Sequence, residues 1–397
     1  MAKKAERSTG AEHAIDPEHA DDARDFTEPE RADAAKVEAG ATKGAAKDAA
    51  GTREAAQGES ADRDGKAARE AAEGASRAAG KAAEKAAEKA AKAERKAAKR
   101  ARKAAREQGA GPGATPAAAP SVRAALRLPG GPVDLAAIDT RATPGFTGGR
   151  ADALADVAAM APRLADLQER LYAQAIAGGA RRRVLLVIQG MDTSGKGGTV
   201  KHVIGQFNPS GCHIHAFKAP TAEELAHPFL WRVRREVPGP GLIGVFDRSH
   251  YEDVLIARVR ELVPRATWSR RYAAINRFEQ ALVGDEVTVV KVFLHISPDE
   301  QKERLLARLD NPDKHWKFNP ADIDERAVWG EYRTAYETAL ERCASDAAPW
   351  HVVPADRKWY RNWAISRLLW EHLTELDPRF PAATFDVEAE RKRLLET

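Results

Sequence analysis

The sequence predicts an α/β domain built on a parallel β-sheet with helices on both faces. Three observations carry this. Short apolar runs such as RRRVLLVIQ (181–189) and LIGVFDRS (242–249) have the composition of strands buried on both faces. Segments with apolar residues at helical spacing alternate with those runs. A glycine loop, GMDTSG (190–195), joins the first strand to a helix, which puts a ligand at the carboxyl ends of the strands.

In chain order, residues 150–178 place Leu154, Val157, Leu164, Leu167 and Leu171 on one helical face, and Gly178 and Gly179 end that helix. After the first strand and its loop, KGGTVKHVIGQF (196–207) opens a helix, and CHIHAFKAP (212–220) reads as a second strand. TAEELAHPFLWRVRREV (221–237) reads as one helix, with Thr221 and Glu224 forming a capping box, until PGPG breaks it. LIGVFDRS is the third strand, ending at Asp247. SHYEDVLIARVREL (249–262) and ATWSRRYAAINRFEQAL (266–282) read as helices, and EVTVVKVFLHIS (286–297) as a fourth strand. SPDEQKERLLARL (297–309) is a helix capped by Ser297 with Pro298 at its first position. NPDKHWKFNP (311–320) is a polar loop bearing aromatics. A long helix (321–343), a fifth strand WHVVPA (350–355) and a final helix (357–373) complete the pattern.

The first 115 residues are mostly Ala, Gly, Lys, Arg, Glu and Asp, with Phe26 as their sole aromatic. Such a segment cannot offset its ordering entropy with a packed core. The expected organisation is a disordered or partly helical tail and linker (1–115), one folded domain (135–380) and a charged C-terminal tail (381–397). Residues 77–106 are strongly basic and alanine-rich, without an apolar stripe. They read as a solvated spacer or as an arm for an anionic polymer, nucleic acid included, that binds weakly. The start, MAKKAERSTG, has no apolar run, which predicts no secretory signal; no stretch of 18 apolar residues predicts a membrane span. Cys212 and Cys343 are the two cysteines, and so few predicts a reducing compartment, the cytoplasm. Cys212, His213, His215 and His250 lack the paired spacing of a structural zinc site.

Gly190 to Lys196 fits GxxxxGK. Its glycines let backbone N–H groups curl into an anion nest at a helix N-terminus, and Lys196 can reach a phosphate. Two features depart from the usual phosphate loop. Gly197 stands where Ser or Thr normally follows the lysine to ligate magnesium, with Thr199 two residues later. Asp192 sits inside the loop, where a bare carboxylate would repel phosphates unless a divalent cation bridges them. Asp247 ends a buried strand, a second metal-ligand position, and Arg248 beside it suits the charge of a transferring phosphoryl group. Arg304 and Arg308 lie one helical turn apart and precede Lys314 and Lys317, which together read as a basic lid. Lys201, His202, Lys218, Arg232, Arg234 and Arg235 add positive charge near the expected crevice.

With GMDTSGKGGT, FKAPTAEEL, FLWR, FDRSHYEDVL and DNPDKHWKF in that order, the chain resembles the polyphosphate kinase 2 family over roughly residues 135–380. The resemblance implies a P-loop kinase-like, three-layer αβα fold with a five-stranded parallel sheet and a helical lid. It implies phosphoryl transfer between inorganic polyphosphate and an adenine or guanine nucleotide, with Mg2+, or Mn2+ in its place. Asp192, Lys196, Asp247, Arg248 and Arg308 match catalytic positions, with Asp192 and Asp247 as metal ligands. Gly190, Ser194, Gly195, Gly197, Gly198, Thr199, Lys201 and Lys218 are the expected phosphate contacts, and Arg304, Lys314 and Lys317 the expected lid. Met191, YEDVL and HWKF are similar to the branch that phosphorylates AMP and ADP, although Gly197 stands where that branch commonly has an acidic residue. A homo-oligomer, dimer or tetramer, is implied as well. Two other readings stay open: an ATP-dependent nucleoside monophosphate kinase, and a polyanion-binding protein acting through its tail.

Overall fold

Residues 184–188, VLLVI, are apolar on both faces, as suits a strand in the middle of the sheet. The computed structural model describes residues 121–397; the tail, with its basic run at 77–106, lies outside the described residues. The elements in chain order begin with α1 (Val122–Leu126), α2 (Arg150–Gly178), β1 (Arg183–Gly190), α3 (Lys196–His202) and β2 (Cys212–Ala216). Then come α4 (Ala222–Leu225), α5 (Trp231–Arg235), β3 (Ile243–Asp247), α6 (Ile256–Val259), α7 (Arg265–Gly284) and β4 (Val287–His295). The chain ends with α8 (Pro298–Leu309), α9 (Ala321–Ala327), α10 (Trp329–Arg342), β5 (Trp350–Pro354), α11 (Lys358–Leu376) and α12 (Val387–Leu395).

The five strands run parallel in the order β2-β3-β1-β4-β5, as the alternating pattern predicts. Side chains alternate across β1. Leu186 and Ile188 pack with Leu164, Leu171, Trp363 and Leu368 from α2 and α11. Leu185 and Val187 face Phe246, Tyr272, Phe278 and Tyr336 on the other side. Register sets the site: Ile188 of β1 lies opposite Asp247 of β3, so the chain leaves both strands at the same level.

Several boundaries differ from expectation. The packed unit starts before residue 135, because Val122 and Leu126 are buried under α11, where Glu371 accepts from the Val122 and Arg123 N–H groups. The expected single helix at 221–237 is two short ones, α4 and α5. The capping box of Thr221 and Glu224 forms, but Pro228 supplies no N–H and the helix stops before it. Residues 250–254 form a 3-10 turn ahead of α6, and 312–317 form another inside the expected polar loop. The long helix at 321–343 divides at Val328 into α9 and α10. The C-terminal charged segment contains α12, none of whose residues is buried.

Candidate active site

The loop after β1 is built by backbone conformations that its sequence permits. Gly190 and Gly195 have φ of 153° and 111°, values that a side chain would strain, and Thr193 adopts a left-handed φ of 61°. This winding turns the chain through Ser194, whose N–H donates to the Met191 carbonyl at 3.1 Å, into α3. The first N–H groups of α3 have no helical acceptor, an arrangement that can receive an anion. Lys196 is buried; its Nζ donates to the carbonyls of Gly190 (2.7 Å) and Met191 (3.3 Å) and stands 3.9 Å from Asp192. The hydroxyls of Thr193 and Ser194 are buried without a protein partner. Thr199 is engaged otherwise, its hydroxyl donating to the Gly195 carbonyl at 3.2 Å. A Cβ built on Gly197 would meet nothing within 4 Å, so a side chain there would have room.

The opposite wall is the end of β3. Arg248 follows Asp247 with a left-handed φ of 66°, and its N–H donates to the Ile188 carbonyl at 3.1 Å. That turn sends its side chain to Asp192, where Nη2 donates to Oδ1 at 2.8 Å. Burial works against the Asp192 charge, but Lys196, Arg248 and Arg308 outweigh it and hold the carboxyl below its ordinary range. Asp192, Lys196, Arg248 and Arg308 therefore share one electrostatic neighbourhood, as the sequence predicts. Two acidic groups join them that sequence reading does not single out. Glu252, on the turn after β3, is raised by burial against the pull of Arg248 and Lys196. Asp322, at the start of α9, is raised by burial and by the nearby charge of Asp192. Glu252 lies within the FDRSHYEDVL run, while Asp322 has no motif to mark it.

The lid region runs from the end of α8 through the 3-10 turn to α9. Arg308 Nη1 donates to the Lys317 carbonyl (2.9 Å) and meets Asp322 at 3.3 Å. Lys314 and Lys317 are exposed. Arg304 does not belong with them. Its guanidinium is buried under the phosphate loop, donating to the carbonyls of Thr193 (2.8 Å), Ser194 (3.1 Å), Ala355 (2.7 Å) and Asp356 (3.0 Å) and to Glu300 (2.8 Å). Helical spacing puts Arg304 and Arg308 on one face, but Arg304 is nearer the sheet and all its donors serve the scaffold.

Of the other expected positives, Lys201, His202 and Lys218 are exposed. Arg232 is buried, donating to the Lys218 carbonyl at 2.9 Å and flanked by Glu224 and Asp253. Arg234 and Arg235 are exposed, lying over Phe278 and Trp231. His213 and His215 both reach one Glu236 oxygen at 3.0 Å, and His250 is buried against Glu279. Both cysteines are free thiols. Among the described residues no cluster of three or more His, Cys, Asp or Glu side chains is arranged as a metal cage, and no helix is long and apolar enough to cross a membrane.

The family model described as polyphosphate kinase 2 matches residues 150–381. The chain is 45% identical over 253 residues to the AMP/ADP-polyphosphate phosphotransferase of Meiothermus ruber, covering 64% of this chain and 93% of that protein. It is 44% identical over 246 residues to the ADP-polyphosphate phosphotransferase of Rhodopseudomonas palustris, covering 59% and 82%. Among solved structures, polyphosphate kinase 2 from Arthrobacter aurescens TC1 superposes with a TM-score of 0.69 at 50% identity, over 72% of this chain and all of that one.

Proposed function

The chain belongs to the polyphosphate kinase 2 family, and from that premise we propose how its site works and which acceptors it uses. It is a phosphotransferase that moves a phosphoryl group between polyphosphate and a nucleotide. The nest at the start of α3, with Lys196, Ser194, Gly195, Gly197 and Gly198, binds the end of the polymer. An oxygen of the acceptor's terminal phosphate attacks the terminal phosphorus of the polymer in line. The P–O bond to the next phosphate breaks, and the polymer leaves one unit shorter. The attacking oxygen is already anionic, so no side chain has to take a proton. Arg248 and Arg308 neutralise charge on the transferring group; positioning and electrostatics carry the catalysis.

Asp192 and Asp247 would hold Mg2+, or Mn2+ in its place, together with substrate oxygens and water. Two carboxylates support such an ion, Asp192 in the loop after β1 and Asp247 at the end of β3, with the buried hydroxyls of Thr193 and Ser194 left without partners beside them. When bound, the ion supplies positive charge between the two phosphate chains. The observation that carries this reading is Asp192 itself, a carboxylate inside a phosphate nest held charged by Lys196 and Arg248. AMP and ADP are the proposed acceptors, supported by the activity for which the Meiothermus protein is named and by the YEDVL and HWKF runs. A cytoplasmic homo-oligomer belongs to the same reading.

The test supplies polyphosphate and magnesium with AMP, ADP, GMP or GDP separately, with products resolved by chromatography and Asp192→Asn run alongside. Conversion of AMP to ADP and then ATP, with Asp192→Asn inactive, is expected. Reaction of diphosphates alone overturns the AMP assignment. ATP serving as donor while polyphosphate stays inert overturns the donor.

A further inference from the structure

We propose that Arg361, from the first turn of α11, is a positioning residue for the phosphate nest, setting its shape and lending it a further fixed positive charge. The inference rests on the reading of the loop after β1 as the polyphosphate site, and it adds a residue that no motif marks.

Arg361 is 3% exposed, and among the described residues no carboxylate pairs with it. Its Nη1 donates to the Ser194 carbonyl at 3.3 Å, and Nε and Nη2 both reach Asn362 Oδ1, at 3.2 and 2.8 Å. Arg304 grips the same Ser194 carbonyl from α8 at 3.1 Å. Two guanidinium groups thus pull one peptide oxygen out of the loop. A trans peptide is planar, so the N–H at its other end, that of Gly195, points the opposite way, into the nest. Burial and the neighbouring Arg304 bring the Arg361 pKa down to about 10, so it stays charged at neutral pH.

The loop glycines record the same contact. A Cβ at Gly195 would overlap the Arg361 guanidinium, and one at Gly198 would stand 2.8 Å from Nη2. Gly195 needs its hydrogen for its positive φ in any case. Gly198 does not, since it lies in α3. Arg361 is therefore the group that a side chain at Gly198 would displace. A buried cation without a carboxylate is costly unless an anion shares its surroundings, and a bound phosphate chain would be that anion.

The test is steady-state kinetics with polyphosphate varied and then nucleotide varied, on Arg361→Lys, Arg361→Ala, Gly198→Ala and the Arg361→Ala/Gly198→Ala double variant. Lysine keeps the charge but cannot lie flat on two glycines while holding Ser194. Each single variant is expected to raise KM for polyphosphate about tenfold or more, the scale of one charge-assisted hydrogen bond, with KM for nucleotide within about twofold. Gly198→Ala should add nothing once Arg361 is alanine, because nothing remains to be displaced. Wild-type KM in Arg361→Lys and Gly198→Ala overturns the proposal, and so does full additivity in the double variant. If Arg361→Ala does not fold, the first two variants decide. Lys196→Met is the control: if it too leaves the polyphosphate KM unchanged, the polyphosphate reading of the loop fails and the proposal falls with it.

Discussion

Arg248 and Asp192 meet at 2.8 Å across the mouth of the loop, one from the end of β3 and the other from the segment that follows β1. Each holds the other charged, and the proposed mechanism assigns each a substrate contact as well. Replacing Arg248 with lysine keeps one charge but loses the planar fork that can span Asp192 and a phosphoryl oxygen. Arg248→Lys should lower kcat about a hundredfold or more, as for removal of a group stabilising the transition state. Single-turnover assays at saturating substrate would measure it; a loss confined to KM would show that Arg248 serves binding alone.

The pair of Arg308 and Asp322, at 3.3 Å, ties the end of α8 to the start of α9. In the proposed mechanism Asp322 would compete with phosphate for Arg308. Asp322→Asn should therefore lower the KM for polyphosphate severalfold, whereas Arg308→Ala should raise it and cut kcat about tenfold or more. A higher KM in Asp322→Asn would instead make the carboxylate a support that holds Arg308 in place.

Lys291 is fully buried, with Nζ 2.6 Å from Glu279, 2.9 Å from the Tyr251 hydroxyl and 2.6 Å from the Cys343 carbonyl. Burial penalises the Glu279 charge, but Lys291 and His250 outweigh it and keep the carboxyl low. Lys291→Met removes the main counter-charge of the buried Glu279, leaving it His250 and the Tyr251 hydroxyl, and should cost about 3–5 kcal/mol in denaturant unfolding. Adding Glu279→Gln should recover most of that loss. A double variant no more stable than the single would mean that lost packing around the lysine stem, and not the lost counter-charge, causes the damage.

His351 and His372 are both held at about 4, chiefly because burial penalises the charged ring. Their folded pKa lies below the ordinary 6.5, so the unfolded chain binds protons that the folded chain refuses. Their stabilising contribution is complete above about pH 6.5 and is lost as pH falls toward 4, at about 1.4 kcal/mol for each group per pH unit crossed. Urea unfolding between about pH 7.5 and 5 should show the fall, and His372→Gln should make it shallower. An unchanged slope would remove His372 from the acid response.

The sheet and the grouping of Asp192, Lys196 and Arg248 are legible in the sequence for a local reason. In β1, the loop and α3, period, glycine position and lysine spacing all lie within one continuous stretch, and the DRS turn has a similar economy. What escapes depends on contacts between distant segments. Arg361 is 166 residues beyond Gly195, and nothing in RKWYRNW says that one arginine lies under a phosphate loop. Arg304 reads as part of the lid because i, i+4 spacing gives a shared face but not which end of that face is buried. The helices at 221–237 and 321–343 read as continuous because propensity is summed over windows. Pro228 ends one of them by lacking a donor, and the other divides at Val328, whose φ of −105° and ψ of 30° leave the helical region. Asp322 becomes part of the site through that division.

All eight tryptophans lie in the described part of the chain, and Trp316 is the one that is fully open to water, 78% exposed beside Lys317 in the turn between α8 and α9. The others are wholly or partly enclosed. An aqueous quencher such as iodide will therefore reach Trp316 first, drawn further by the lysine whose ammonium stands 4.7 Å from its ring. The protein carries its own optical reporter on the segment that would close over bound phosphates, and its emission can follow that closure in solution without an attached dye.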